Sequence, residues 1–425
     1  GIGIVMVLMA ALVAFAATCC AQEIRTREKE FYILLLLMTG GILGAFMSLD
    51  IFLMYFLHEL ALVPTFIMIG VWGRGQDKDF AAYKITLYLS LGALLTLAGV
   101  IMLYLQFGTF SLLSMMDHAT QFAGTEAGAF SATEQNVIFA LLMFGLGILV
   151  GLWPFHTWAP RGYSAAPTAT AMMHAGVIKK FGLFMLIKVA LPLLPQGAQT
   201  WLPILALLCL GNILYCGLVA MRQKDLNLLI GNSSVAHMGF VFLGIASVTT
   251  IGLTGAVMVM VAHGLLAGLA FGLSGYLYSQ ARTLDMEKLQ GLLASMPFWG
   301  TLMIMALMAG CGLPGFANFA GELTVFFGAW KVYPVITSIG IWSALVIGAV
   351  YMLRAIRTLL HGMKGEQTPE VEDLKQWQRL PYALLVAMLL LFGFYPKLIT
   401  DKISKSNATF EQAKKGQAPT EEGTE

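Results

Sequence analysis

Residues 296–330 read MPFWGTLMIMALMAGCGLPGFANFAGELTVFFGAW, and this stretch decides the class of fold. The run is far longer than the roughly 20 apolar residues that one straight bilayer crossing needs. Near its middle stands Gly312-Leu-Pro-Gly315, where proline lacks the amide proton that a continuous helix requires. Non-helical backbone at membrane depth is tolerated only where it packs in protein or lines a wet cavity. The stretch therefore predicts a broken membrane helix, with Glu322 just after the break.

The rest of the chain has the composition of a membrane protein. Of its 425 residues, 58% are hydrophobic and 11% are charged, whereas soluble domains carry about 25% charged residues. The net charge of +2 indicates no nucleic-acid partner. We predict an all-α integral membrane fold with twelve spans in the bilayer, at residues 2–21, 31–49, 51–72, 83–106, 135–153, 166–193, 201–221, 226–248, 252–280, 296–330, 333–360 and 380–398.

The basic residues predict which connections face the cytoplasm. On one side of the membrane, the connections before the last span contain a single basic residue, Lys331. The connection 107–134, on that side, has no lysine or arginine. The positive-inside rule places the other, basic side in the cytoplasm. Its sixteen basic residues are Arg25, Arg27, Lys29, Arg74, Lys78, Lys84, Arg161, Arg222, Lys224, Arg282, Lys288, Arg354, Arg357, Lys364, Lys375 and Arg379.

A second interruption predicts an inverted repeat. Pro154 stands at the end of one apolar run, and Pro314 and Gly315 interrupt another. In each case the interrupted span is the fourth in a set of five. Because five is odd, the two sets cross the membrane in opposite senses, which is typical of transporters whose ion pathway lies at the broken helices. The predicted parts are an N-terminal span and cytoplasmic loop (1–30), two five-helix repeats (31–193 and 201–361), and a cytoplasmic loop, last span and polar tail (362–425).

Glu59 and Lys180 are charged residues deep inside predicted spans, where an unpaired charge is costly. Glu59 is expected to belong either to a structural ion pair or to an ion pathway. Lys180 lies roughly 20 Å from either end of its span, too far for its stem to reach water. It must face the protein interior, where an amine that gains and loses a proton suits a relay. Lys179 is about 100° around the helix and must point elsewhere.

Histidines and a second carboxylate extend this set. His237 and His263 lie in spans of the second repeat, as packing residues or as relay groups, since an unperturbed imidazole pKa of about 6.5 suits proton transfer. Glu322 is expected to act as a gate or exit group. Auxiliary candidates are His58, His156, His174 and Lys179. No metal-ligand spacing occurs, and we expect small core residues at Cys19, Cys20, Cys209, Cys216 and Cys311.

Several motifs resemble those of the antiporter-like membrane subunits of respiratory complex I, of the chain M or subunit 4 type, which are related to Mrp antiporters. They are Glu59-Leu-Ala-Leu-Val-Pro64, Gly70-Val-Trp-Gly73, Pro154-Phe-His-Thr-Trp-Ala-Pro160, Ala166-Pro-Thr-Ala169, Ala175-Gly-Val-Ile-Lys-Lys180, Ser233-Ser-Val-Ala-His-Met-Gly-Phe240, Ala262-His-Gly264, Gly312-Leu-Pro-Gly315 and Gly321-Glu322. The resemblance implies fourteen helices, of which this chain matches the third to the fourteenth. We therefore expect it to be part of a longer chain.

The resemblance also implies a polar axis at mid-membrane. Matching positions are Glu59, Lys180, His237, His263 and Glu322. A further family lysine, five residues before Pro154, is replaced here by Leu149. The family motif Asp-Ile-Lys-Arg-Leu is here Asp225-Leu-Asn-Leu-Leu229. Without that lysine, the carboxylate Glu59 is expected to be neutral, hydrated, or served by His58, His156 or a group on another subunit.

We interpret the chain as a proton-translocating membrane subunit of a complex I-type NADH:quinone oxidoreductase in a bacterial-type inner membrane. It would work with other membrane subunits and perform no redox catalysis itself. NADH, FMN, iron–sulfur clusters and quinone would bind to partner subunits. The alternatives are a subunit of a cation/proton antiporter or of a membrane-bound hydrogenase, or a structural subunit that no longer pumps.

The charge asymmetry makes a prediction about sidedness. Cysteines introduced by Lys78→Cys and Thr120→Cys should react with a membrane-impermeant thiol reagent from opposite sides, because basic loops stay in the cytoplasm. Sealed vesicles of each orientation provide the measurement, and the parent protein with its native cysteines is the blank. Labelling of both positions from one side would contradict the topology.

Overall fold

The computed structural model describes residues 1–121, 131–365 and 368–403, and these ranges are mostly helical. The helices are α1 Ile2–Cys20, α2 Glu28–Met47, α3 Ile51–Trp72, α4 Lys78–Phe107, α5 Leu112–Gln121, α6 Ala132–Val150, α7 Trp158–Ala165, α8 168–193, α9 Pro195–Arg222, α10 Leu226–Ser247, α11 Thr250–Ala281, α12 Pro297–Gly310, α13 Ala317–Trp330, α14 Pro334–Leu360 and α15 Arg379–Phe394. Short turns of π-helix lie within α8, α9 and α14.

The helices reproduce the predicted spans. Ten helices of the described residues are each long and apolar enough to cross a membrane. The segment α8 and the broken pair α12–α13 supply the other two. The largest differences are at α4 and α9, which begin at Lys78 and Pro195 rather than at residues 83 and 201. The connection 107–134 contains the short helix α5.

Two helices occupy the middle of the bundle. Every residue in the most apolar part of α11 is buried, and so is almost every such residue of α10. The outer helices instead expose one apolar face, with Leu87 and Leu105 as examples. An apolar surface of this kind is what a lipid-facing helix presents. The centre of the protein is thus formed by α10 and α11, which carry the predicted histidines.

The first predicted break separates α6 from α7. Helix α6 ends at Val150, and Gly151 adopts a left-handed conformation with φ of 92°, one residue before the expected position. The Asn212 side chain accepts a hydrogen bond from the Trp153 amide and donates one to the Gly151 carbonyl, each at 2.8 Å. Its amide also donates to the Val235 carbonyl at 3.3 Å. One buried asparagine on α9 therefore satisfies the broken backbone and ties it to α10.

The second predicted break separates α12 from α13. Helix α12 ends at Gly310, and α13 begins at Ala317. Gly312 and Gly315 have φ of 72° and 102°, which L side chains rarely adopt. Together with Pro314 they end one helix and redirect the chain into the next. Both predicted interruptions are confirmed.

Polar contacts join several helices at the face predicted to be cytoplasmic. Glu23 accepts hydrogen bonds from the Arg74 guanidinium and from the Thr168 amide, both at 2.6 Å. Arg74 also donates to the Thr168 hydroxyl and lies over the Tyr278 ring, 4.5 Å from its centroid. These contacts connect the ends of α1, α8 and α11. The inverted relation of the two repeats stays a prediction, and the polar tail beyond residue 403 lies outside the described residues.

The role of Asn212 can be tested by removing its polar atoms. Asn212→Leu should lower the melting temperature of the protein in detergent, because each buried peptide group left unpaired costs about 1–3 kcal/mol. Asn318→Leu is the matched control, since Asn318 is also buried but its side chain has no partner among the described residues. Equal melting temperatures for the two variants would contradict this role.

Candidate functional site

Lys180 meets His263 where α8 crosses α11. The Lys180 Nζ lies 2.9 Å from Nδ1 of His263, and it also donates to the Ala175 carbonyl. At this crossing a Cβ added to Gly176 would lie 3.0 Å from the Gly264 carbonyl oxygen. Small residues allow helix backbones in lipid to approach this closely. The two glycines thus set the separation between amine and imidazole.

The helical repeat of α8 changes directly before the two lysines. Residues His174–Ile178 form a π turn, and the Lys179 amide donates to the His174 carbonyl, five residues back, at 3.2 Å. The Lys180 amine bonds to a carbonyl five residues back as well. Turns of π-helix frequently occur at functional sites. Here the turn orients both lysine side chains.

Lys179 and Lys180 point to different helices, as their adjacency predicts. The Lys179 Nζ donates to the Ser234 hydroxyl at 2.8 Å and lies 3.4 Å from the Ser234 carbonyl oxygen, on α10. It also lies 5.6 Å from the centroid of the Tyr163 ring. Both lysines are fully buried. Within the described residues, neither forms an ion pair with a carboxylate.

His237 connects the centre of the bundle to the second break. Its Nδ1 faces the Ser233 carbonyl at 2.7 Å, and its Nε2 faces the Gly310 carbonyl at 3.0 Å. Carbonyl oxygens only accept hydrogen bonds, so whichever ring nitrogen carries the proton has an acceptor beside it. Oε1 of buried Glu322 lies 3.5 Å from the same Nε2. A proton on Nε2 therefore has a carboxylate oxygen within reach.

A small cavity lies beside this contact. Its volume is about 20 Å³, and its lining includes His237, Glu322, Ser343 and Tyr351. A cavity of at least about 10–15 Å³ with polar partners can hold one water. The Glu322 side chain also lies near Gly312, where an added Cβ would be 3.1 Å from Oε2. The carboxylate thus stands at the break, as the sequence predicted.

Four of the five predicted relay residues form one line. The His237 and His263 rings have centroids 5.6 Å apart, which joins the Lys180 contact to the Glu322 contact. The line runs from α8 through the central helices to α13, and all four side chains are buried.

Glu59 lies apart from this line. Its side chain is 29% exposed on α3, and Oε1 lies 3.3 Å from Nδ1 of buried His58. The His58 ring stacks on Phe181, next to Lys180 in the chain, with centroids 4.0 Å apart. The auxiliary candidate His58 is thus placed beside the carboxylate. His156 instead contacts Tyr215 near the first break, so it is not brought to Glu59.

Some polar residues in this region escaped the sequence analysis. Ser234 holds Lys179, and the Ser233 hydroxyl lies 3.3 Å from Nδ1 of His237 and 3.1 Å from the Tyr351 hydroxyl. Ser233 precedes His237 by four residues and so shares its helix face. That spacing was the available signal. No feature of the sequence indicated the contact between Ser233 and Tyr351, which lies on α14.

Comparisons with known proteins agree with this geometry. Residues 48–348 match the family described as NADH:quinone oxidoreductase/Mrp antiporter, TM. This chain belongs to that family. NADH-quinone oxidoreductase subunit M of Rhodobacter capsulatus is 32% identical over 416 residues, which cover 97% of this chain and 81% of that protein. NAD(P)H-quinone oxidoreductase chain 4 1 of Synechococcus elongatus is 34% identical over 408 residues, which cover 94% and 74%. The resemblance expected from the motifs is confirmed.

Two solved structures share the fold of this chain. A chain of respiratory complex I from Thermus thermophilus with bound NADH superposes with a TM-score of 0.89 at 28% identity, covering 97% of this chain and 85% of that one. A chain of the Mrp complex from Dietzia superposes with a TM-score of 0.82 at 18% identity, covering 96% and 83%. The second likeness concerns the fold alone.

Leu149, which the motif resemblance led us to compare with a lysine, lies at a close helix contact. Leu149 is buried, and its side chain packs on Gly92 of α4, where an added Cβ would lie 3.1 Å from Leu149 Cδ2. The site is apolar and closely packed. That Leu149 replaces a family lysine stays a prediction.

The glycine crossing yields a stability prediction. A Cβ at Gly264 would lie 2.4 Å from Met9 Sδ and 2.9 Å from the Gly176 carbonyl. Gly264→Ala should therefore destabilise the protein by about 1–3 kcal/mol through overpacking. Gly40→Ala is the control, because nothing lies within 4 Å of its added Cβ. Thermal unfolding in detergent measures both, and equal stability would contradict a tight crossing.

Proposed function

We propose that this chain is a proton-translocating membrane subunit of a complex I-type NADH:quinone oxidoreductase. The observation that carries the proposal is the buried line of titratable groups, in which the Lys180 amine lies 2.9 Å from the His263 imidazole and His237 lies 3.5 Å from Glu322. Ionisable groups inside a membrane bundle are costly and mark ion pathways. Membership of the family, and relatives named as subunits of this enzyme, support the same conclusion.

The proton moves between neighbouring groups of this line. An ammonium at Lys180 gives a proton to Nδ1 of His263, since the two nitrogens are already at hydrogen-bond distance. The proton then passes to the His237 ring, whose centroid lies 5.6 Å from that of His263. The Nε2 proton of His237 then passes to Glu322, directly or through a water in the small cavity. Glu322 releases it at the second break.

Energy for this transfer comes from partner subunits. The chain holds no redox cofactor in this proposal; NADH, FMN, iron–sulfur clusters and quinone bind to its partners. Conformational change and electric field transmitted from those subunits alter which member of the line holds the proton. The chain lies in a bacterial inner membrane beside other membrane subunits of the assembly.

Glu59 faces a partner rather than the line itself. Its side chain is 29% exposed, and no lysine or arginine of the described residues pairs with it. A carboxylate in lipid needs a partner or water. We infer that a cationic or hydrogen-bonding group of an adjacent subunit completes this site in the assembly.

Replacement of the central amine tests the relay. Lys180→Met retains bulk but removes the titratable group, so proton pumping should fall about tenfold or more while the complex still assembles. Lys180→Arg should also impair pumping, because guanidinium does not release its proton. Dye-detected proton uptake by inverted membrane vesicles, with NADH:quinone turnover recorded in parallel, measures the effect.

Lys188→Met is the matched control for this experiment. Lys188 lies on the same segment, eight residues further on and outside the line, so its loss should leave pumping unchanged. Normal pumping by Lys180→Met would overturn the relay. The replacement of the family lysine by Leu149 would then favour a structural subunit that does not pump.

A further inference from the structure

A large cavity enters the protein from the face predicted to be cytoplasmic. Its volume is about 760 Å³. The exposed side chains of Asp77, Arg161 and Arg282 stand at its rim, whereas His156 and Asn232 in its lining are buried. Asn232 is the seventh residue of α10, about 10 Å below the start of that helix. The cavity therefore descends between the two predicted repeats toward the centre of the bundle.

The cavity lining includes residues close in the chain to those that contact Lys179. Asn232, in the lining, precedes Ser234 by two residues, and the Ser234 hydroxyl accepts a hydrogen bond from the Lys179 amine at 2.8 Å. Tyr163, whose ring lies 5.6 Å from that amine, is on α7, and the neighbouring Ser164 also lines the cavity. Two residues that contact Lys179 are thus sequence neighbours of residues that line the cavity.

Buried polar groups between the cavity and the lysines have no protein partner. Within the described residues, the Tyr163 hydroxyl, Nδ1 of His156 and both ring nitrogens of His174 accept or donate no hydrogen bond. The His174 ring lies 5.6 Å from the Tyr163 ring, centroid to centroid. Buried polar groups are nearly always satisfied, and ordered water does so where protein atoms do not. The positions of these groups mark a hydrated route.

A carboxyl group at the cavity is suited to collect protons. Asp225 precedes α10 and lines the cavity. Burial raises the pKa of its carboxyl above the ordinary value, although the Leu228 amide donates a hydrogen bond to it. A raised pKa lets the carboxyl bind a proton at a higher pH than an exposed aspartate.

We propose that Lys179 is the proton-loading group of this chain, fed through this cavity. The inference rests on the function proposed above. A proton from water in the cavity binds the neutral Lys179 amine. Lys179 later gives that proton, through water, to Lys180 and becomes a neutral amine again. Ser234 positions the amine. Because adjacent ammonium groups repel, loading Lys179 promotes transfer from Lys180 to His263.

Substitutions at Lys179 distinguish a proton carrier from a structural cation. Lys179→Met and Lys179→Arg should each lower proton pumping about tenfold or more, because neither side chain gains and loses a proton. A structural cation would tolerate Lys179→Arg, which retains the charge and can donate to Ser234. Proton uptake by inverted vesicles of the whole complex is the measurement, with Lys188→Met as the control.

The outcomes separate this inference from the proposed function. Parent-like pumping by Lys179→Arg, together with loss of pumping in Lys180→Met, would overturn the loading role and leave the relay intact. Parent-like pumping by Lys180→Met would overturn the relay itself. Loss of pumping in both Lys179 variants with normal assembly supports the loading role.

Blocking the cavity tests the route without changing Lys179. This experiment tests the proposal even if the Lys179 variants fail to assemble. Ser164→Cys, treated in inverted vesicles with a positively charged methanethiosulfonate, should lose pumping, and a reducing agent should restore it. Ser114→Cys, predicted to lie on the opposite face, is the control. Full pumping after complete modification at position 164 would exclude this cavity as the route.

Discussion

The structure depends on satisfying backbone hydrogen bonds where helices break inside an apolar bundle. An unpaired peptide group in hydrocarbon costs several kcal/mol, so a break can exist only where the protein supplies its partners. At the first break Asn212 does so for Gly151 and Trp153. That arrangement frees the chain to turn into α7, which brings Tyr163 next to Lys179. The polar interior therefore depends on a buried amide that never titrates.

In the centre of the bundle, electrostatic repulsion between like groups is the main constraint, rather than backbone hydrogen bonding. Lys180, His263 and His237 are all groups that become positive on protonation, and the only carboxylate on their line is Glu322. Two unit charges 4 Å apart interact by about 4 kcal/mol at an effective dielectric constant of 20. Only a few of these groups can be protonated together. A proton added at one end of the line therefore promotes loss of a proton at the other end. Close spacing of like groups, set by the glycine crossing of α8 and α11, favours sequential transfer.

Sequence reasoning located the parts of the molecule whose chemistry is local. Pro154, Pro314 and Gly315 marked both breaks because proline and glycine change the backbone wherever they stand. Lys180 and Glu322 were identified because charges are rare in apolar runs. The π turn before Lys179 and the contact with Ser234 could not be predicted, since they depend on how neighbouring helices pack. The partial exposure of Glu59 was equally hidden, because apolar periodicity does not distinguish a lipid face from a subunit interface.

The exposure of Glu59 has a consequence for the life of the chain before assembly. A charged side chain at the centre of a membrane helix costs about 3 kcal/mol on insertion scales, which is a large share of a typical stability of about 5–15 kcal/mol. In the proposed assembly a group of the adjacent subunit offsets this cost, so a copy inserted alone is less stable than the assembled chain.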